Sequence, residues 1–218
     1  MLIATLLASL ATCQPTALSV PVMPAAHTVQ ADSLLRSLFE RGQTFAEFVE
    51  KASARREGWL RLQRDAVVSA ALLERARAVG GTWQLLVVAR DGCGDSMNSV
   101  PYAARLADSV PGLSLRIVTP NIGEAAQANH RTLDGRTATP TFILLDAAGD
   151  DVGCLVELPA PIRQWNHKNR SVLSSDSLHT YRDTFYAKDR GASVSLELVE
   201  LLESAKAGTP RCDRKPPA

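Results

Sequence analysis

The sequence predicts an α/β fold in which a central four-stranded mixed sheet is flanked by helices and preceded by a helical N-terminal extension. Residues 83–89 form a short, continuous aliphatic run, which is typical of a strand buried on both faces. Residues 113–118 alternate apolar and polar side chains and follow a helical segment, so the pair implies a right-handed parallel crossover. Two further apolar runs flank the turn at residues 147–150 and predict an antiparallel hairpin.

Composition divides the chain of 218 residues into five segments. We expect a leader-like segment and tether (1–31), a helical extension (32–80), the α/β core (81–158), a polar insertion with a closing helix (159–207) and a disordered tail (208–218).

The N-terminal segment resembles the hydrophobic part of a secretory signal. Residues 2–12 are short and apolar, and Cys13 follows them as a candidate lipidation site. However, the first basic residue is Arg36, and Thr12 is an unfavourable neighbour for a lipidated cysteine. We therefore expect export to the cell envelope, the periplasm or the exterior, with a misassigned start and a cytoplasmic protein as the alternative.

The extension and the core each carry regular signals. Apolar residues recur at helical spacing from Leu34 to Leu72, Asp32 or Ser33 is a candidate first cap, and Gly80 ends the region. In the core and beyond, we predict helices at 93–109, 123–131 and 194–205, strands at 142–146 and 151–157, and an irregular insertion at 159–192.

Composition excludes several classes of function. A net charge of +1 favours neither nucleic acid nor an anionic membrane, and no apolar run reaches the roughly 18 residues that span a bilayer. The four cysteines form no C-x-x-C motif and no zinc-like cluster, so we expect neither a metal nor another cofactor. Cys154 is predicted to face the core, while Cys212 could resolve Cys93, pair with Cys154 or stay idle.

Two motifs resemble one family. The segment Cys93-Gly-Asp-Ser96, between a buried strand and a helix, resembles the active site of the thioredoxin family, and the segment 138–142 (Ala-Thr-Pro-Thr-Phe) resembles that family's cis-proline loop. More narrowly, the first motif is similar to that of bacterial thioredoxin-like proteins with one active-site cysteine. The resemblance implies a thioredoxin-like fold, a cis bond before Pro140, and a Thr139 backbone that pairs with an extended substrate.

The residues around Cys93 support the same reading on physical grounds. A cysteine at a helix N-terminus meets unpaired N–H groups and the positive end of the helix dipole, which favour the thiolate, the nucleophile of disulfide exchange. Gly92 and Gly94 leave space for a substrate, and Asp95 suits the first helical turn. Ser96, in the place of the second cysteine, could donate a hydrogen bond to the thiolate but cannot form a disulfide. Alternatively, Cys93 is a small packing residue and Ser96 an exposed polar one.

Three departures from the family pattern restrict the expected activity. Gly92 stands where the family usually has tryptophan, Val87 stands where thioredoxins have a buried acid, and the resolving cysteine is absent. We therefore predict a monomeric monothiol protein in which Cys93 forms a mixed disulfide that an external protein or low-molecular-weight thiol resolves. The alternative is a non-catalytic protein that binds a peptide or partner in the groove between Cys93 and Pro140; a hydrolytic pair of Cys93 with His130 is a weaker candidate.

Overall fold

A computed structural model describes residues 26–212, with side chains described from Ser33 onward. Residues 1–25, which include Cys13, and residues 213–218 lie outside the described part. The signal-like segment and the lipidation site therefore stay predictions.

The extension is helical, as predicted. Its helices are α1 (Ala26–Arg41), α2 (Phe45–Lys51), α3 (Arg56–Asp65) and α4 (Ala70–Val79). Thr44 and Glu47 cap α2 reciprocally, which fixes the start of that helix. The expected cap of α1 at Asp32 or Ser33 is wrong, because α1 already begins at Ala26; residues 26–31 contain neither glycine nor proline to stop it.

The sheet is mixed and has five strands rather than the predicted four. They are β1 (Trp83–Val88), β2 (Leu113–Val118), β3 (Thr141–Leu145), β4 (Asp151–Val156) and β5 (Arg211–Cys212), in the order β2-β1-β3-β4-β5. β1 pairs with β2 in parallel and with β3 antiparallel, and β3 and β4 form the predicted hairpin.

The added strand comes from the segment predicted to be a disordered tail. β5 pairs in parallel with β4, and a disulfide joins Cys212 to its pairing partner Cys154. A two-residue strand gives no periodic signal, and of the three fates considered for Cys212 the structure shows the pairing with Cys154.

The remaining helices cover both faces of the sheet. They are α5 (Gly94–Ser109), α6 (Pro120–Asn129), α7 (Ala160–Asn169), α8 (Ser175–Asp189) and α9 (Ala192–Lys206). The prediction of an irregular insertion at 159–192 is wrong, because this stretch forms α7 and α8. Both helices are polar around most of their surface, which hides the helical period; Trp165 and Tyr181 stack between them at 3.5 Å.

The buried side chains of β1 divide between two cores. Leu85 and Val87 face the larger core, which includes residues of α5 and α9, whereas Leu86 and Val88 face a smaller one with α1 residues. α5 thus packs on one face of the sheet and starts where β1 ends. This arrangement brings Cys93 to the edge where several strands begin or end.

Candidate functional site

Cys93 occupies the N-cap of α5, at the end of a tight turn. Its N–H donates to the Arg90 carbonyl at 3.1 Å, and its Sγ accepts the Ser96 N–H at 3.4 Å. The sulfur therefore satisfies one of the N–H groups that a helix start leaves unpaired. Cys93 is half-buried, and it is the free cysteine among the residues that the structure describes.

The register of the sheet brings the proline loop to Cys93. Val88 lies opposite Val118 on one side and Thr141 on the other, so β1, β2 and β3 share one edge. Cys93 Sγ donates to the Thr139 carbonyl at 3.1 Å, across 46 positions of sequence. The Thr139–Pro140 peptide bond is cis. The residues of the two sequence motifs thus lie in direct contact.

Ser96 lies beneath the sulfur rather than at the surface. Its side chain is 0% exposed, which contradicts the alternative of an exposed polar residue. Its Oγ has no hydrogen-bond partner among the described residues, and its contact with Cys93 is made through the backbone N–H. The predicted hydrogen bond from the Ser96 hydroxyl to the Cys93 sulfur is therefore not formed, and the hydroxyl has no other partner among the described residues.

Asp95 points towards the insertion. Arg182 of α8 donates to one carboxylate oxygen at 3.1 Å, and the Tyr186 hydroxyl donates to the other at 3.0 Å. Burial raises the pKa of Asp95, although Arg182 and Tyr186 act in the opposite direction. Burial and the neighbouring Asp95 charge raise the pKa of Tyr186 well above its ordinary value. Asp95 therefore joins α8 to α5, and both its oxygens are occupied.

The two glycines leave room on the outer side of the turn. A Cβ at Gly92 would meet Ala54 at 3.5 Å, and one at Gly94 would meet the Arg55 guanidinium at 3.8 Å. The turn at residues 92–94 therefore faces the loop before α3, at distances of ordinary van der Waals contact.

Sequence reasoning missed the residues of the extension that hold this turn. Arg55 Nε donates to the Gly92 carbonyl at 2.9 Å, and the fully buried Trp59 donates to the Asp91 carbonyl at 2.9 Å. Asp91 Oδ2 accepts the backbone N–H groups of Ser53 and Ala54, both at 2.9 Å. Contacts between residues more than 30 positions apart leave no signal in a single sequence. Among these residues, Arg55 places a cation beside the first turn of α5.

Glu157 is a second missed residue and lies beside the proline. Its N–H donates to the Pro140 carbonyl at 2.8 Å, and its backbone is left-handed, with φ of 66°. Arg136 donates to both of its carboxylate oxygens, at 3.3 and 3.0 Å. This ion pair therefore lies next to the proline loop.

The other candidate side chains are committed elsewhere. The ring nitrogens of the buried His130 lie 2.7 Å from the Ala126 carbonyl and 2.9 Å from Asp151 Oδ2, so a hydrolytic pair with Cys93 is wrong. Within residues 33–212, no cluster of three or more His, Cys, Asp or Glu could hold a metal ion. None of the helices that the structure describes combines the length and apolarity needed to cross a bilayer.

Comparison with known proteins identifies the family. The model of the family described as Thioredoxin matches residues 42–171, more than half of the chain, including Cys93, Ser96 and Pro140. The chain belongs to the thioredoxin family. No curated protein matches it.

Two solved structures resemble this thioredoxin-family chain. One is a 1.5 Å crystal structure of a protein of unknown function from Pseudomonas aeruginosa, with a TM-score of 0.61, 21% identity, and 78% of this chain and 97% of that chain covered. The other is an HIV epitope scaffold, with a TM-score of 0.59, 19% identity and the same coverage of 78% and 97%. At these identities the likeness shows the fold alone, which agrees with the predicted thioredoxin-like fold.

Proposed function

We propose that the protein takes part in thiol–disulfide exchange through Cys93, as a monothiol member of the thioredoxin family. The observation that carries the proposal is the contact of Cys93 Sγ with both the start of α5 and the loop before Pro140. The Ser96 N–H stabilises a negative sulfur, and Arg55 adds a cation next to the same turn.

The proposed reaction is attack of the Cys93 thiolate on a disulfide R–S–S–R′. The bond between Cys93 and one sulfur forms while the S–S bond breaks, and the other sulfur leaves as a thiolate. Ser96 cannot complete a second exchange, and Cys212 is held by Cys154. An external thiol, either low-molecular-weight or on a protein, must therefore release the mixed disulfide.

One contact favours the alternative, a binding protein with little turnover. Cys93 Sγ donates to the Thr139 carbonyl, so the sulfur carries a proton in this arrangement and occupies an acceptor that an extended peptide would use. In the alternative, a partner would displace this bond and lie between Cys93 and Pro140 without exchange.

Cellular location belongs to the same proposal. The Cys154–Cys212 disulfide is typical of an oxidising compartment, which supports an exported protein of a bacterial envelope. We further propose that it acts as a monomer and that Cys13 is its candidate lipid anchor.

The test is the reactivity of Cys93 in the full chain with Cys13→Ser, which leaves Cys93 as the one cysteine outside the Cys154–Cys212 disulfide. Dithiodipyridine should label one sulfur, and labelling should disappear in Cys93→Ser. Labelling should also be faster than that of free cysteine at the same pH, because the Ser96 N–H stabilises the attacking thiolate. An unreactive Cys93 in folded protein would refute exchange and leave the binding alternative.

A further inference from the structure

A cleft of about 430 Å³ opens beside the turn that carries Cys93, on the side of β2. Its floor is apolar, since it includes Phe48 and Ala52 of the segment around the end of α2, both 4% exposed, and Pro120 at the start of α6. The volume lies within the range of small-molecule sites, about 300–1,000 Å³. None of the residues predicted from the sequence lines it.

Two cations line this cleft; Lys51 interacts electrostatically with Glu47 but forms no close ion pair with it. Lys51 and Arg90 line it, both are exposed, and neither forms an ion pair with any residue that the structure describes. Asp91 also lines the cleft and Glu47 lies near it, but both carboxylates are held by hydrogen bonds: Asp91 accepts the backbone N–H groups of Ser53 and Ala54, and Glu47 caps α2. The cleft therefore offers positive charge to a ligand.

Polar groups complete the lining. The Gln43 side chain lines the cleft, and its buried Oε1 atom has no hydrogen-bond partner among the described residues. Thr119 begins α6 without a side-chain cap, and its carbonyl accepts the N–H groups of Ile122 and Gly123. Because Pro120 has no N–H, the Asn121 N–H is the helix-start donor left for an acceptor, and Asn121 lines the cleft. A ligand that matches Lys51, Arg90 and the apolar floor carries carboxylates and a small apolar body.

The cleft is within reach of the sulfur. Arg90 lines the cleft, and Cys93 closes a four-residue turn onto the Arg90 carbonyl, which keeps the two Cα atoms within about 7 Å. An extended tripeptide spans about 10 Å. A cysteine-containing tripeptide could thus place its thiol at Cys93 and its carboxylates at Lys51 and Arg90.

We propose that this cleft binds the external thiol that resolves Cys93, and that this thiol is an anionic, peptide-like molecule of about tripeptide size. The inference rests on the proposed exchange function. The bound thiolate attacks the mixed disulfide of Cys93 and R–S; a new S–S bond joins the ligand to R, and Cys93 leaves as the thiolate.

The first experiment uses glutathione and its diester, in which both carboxylates are masked, as probes. The mixed disulfide of Cys93 with cysteamine is prepared in the Cys13→Ser chain, and the return of the free Cys93 thiol, as cysteamine is transferred to the probe, is followed by mass spectrometry. The double variant Lys51→Gln with Arg90→Gln should slow release by glutathione about tenfold, with little change for the diester. Arg64→Gln, an exposed change on α3 outside the cleft, should change neither rate.

The second experiment measures binding without chemistry. S-methylglutathione should bind the wild type, and binding should weaken about tenfold in the double variant and in about 0.5 M salt. The inference would be overturned if the double variant slowed the reactions of both probes equally. It would also be overturned if replacing Lys51 and Arg90 changed neither the rate with glutathione nor the binding of S-methylglutathione. If Cys93 forms no mixed disulfide, the proposed exchange function is refuted. The binding measurement still tests whether the cleft binds the anionic ligand.

Discussion

At the scale of the residue, the sulfur of Cys93 has contacts that favour opposite states. The Ser96 N–H donates to it, whereas the sulfur itself donates to the Thr139 carbonyl. Loss of the proton would remove the second contact and strengthen the first. Exchange therefore requires the sulfur to leave Thr139, and an incoming peptide N–H would take over that carbonyl.

Replacing Ser96 with cysteine should restore a dithiol site. Ser96 lies three positions after Cys93 with its backbone N–H on the sulfur, a separation that a disulfide can bridge. We expect Ser96→Cys to form a 93–96 disulfide under mild oxidation and to block alkylation of Cys93, as measured by mass spectrometry.

The matched control is Ser99→Cys, which is equally buried but one turn further along α5. It should leave Cys93 open to alkylation. Persistent alkylation of oxidised Ser96→Cys protein would contradict the placement of these side chains.

The Asp91 carboxylate should stabilise the site at neutral pH. Backbone hydrogen bonds, first from Ala54 and then from Ser53, lower the pKa of Asp91. The ionised carboxylate contributes its full stabilisation when the pH is above the pKa of Asp91 in the unfolded chain, about 3.9. The stabilisation is lost as the pH falls through the lower pKa of Asp91 in the folded protein. Asp91→Asn should therefore cost about 1–2 kcal/mol at about pH 7 and much less at about pH 3, measured by urea unfolding.

The exposed Asp183→Asn on α8 serves as the control for charge removal. A penalty for Asp91→Asn that is the same at both pH values would show that its ionised form is not what holds the turn.

At the scale of the element, α8 is attached to the active-site helix by polar contacts. Arg182 and Tyr186 both donate to Asp95, the second residue of α5. We expect Tyr186→Phe and Asp95→Asn each to destabilise the fold by about 1–2 kcal/mol, with a coupling of about 1 kcal/mol in a double-mutant cycle.

Hydrogen exchange of α8 is the second readout for this contact. The single variants should speed exchange in α8 more than in β1. Tyr181→Phe, which keeps its ring against Trp165 and removes a hydroxyl outside the Asp95 contacts, is the control. Additive effects of the two variants would mean that α8 is held by other contacts.

Hydrophobic periodicity could predict the helices and strands that bury one face or both faces. β3 is buried throughout, β1 is buried from Leu85 to Val88, and α5 and α9 each bury a face, so their existence follows from the sequence. α7 and α8 carry few buried side chains, and their helical period is masked by polar residues. Likewise, Cys93 and Pro140 were marked by motifs, whereas Arg55, Asp91 and Glu157 act through contacts that only the fold creates.

At the scale of the whole molecule, one covalent bond holds the C-terminal segment to the sheet. The Cys154–Cys212 disulfide closes a loop of 58 positions that contains α7, α8 and α9. Loop-closure entropy predicts that the double variant Cys154→Ser with Cys212→Ser loses about 2–4 kcal/mol of unfolding free energy.

Urea unfolding of the wild type with and without a reductant provides the measurement. Reduction should lower the wild type to the level of the double variant and leave the double variant itself unchanged. A wild type that is insensitive to full reduction, verified by thiol counting, would contradict the expected contribution.

The same C-terminal segment also decides what can join the sheet. β5 covers the edge of β4 near Gly153 and Cys154, while the bridge between Gln43 and Ile117 covers part of the opposite edge at β2. An extended chain from another molecule would find neither border open along its length. Pairing with strands of other molecules is therefore hindered at both edges of the sheet. An extended peptide can instead pair with the short backbone segment at Thr139, which lies next to Cys93, the free thiol among the described residues.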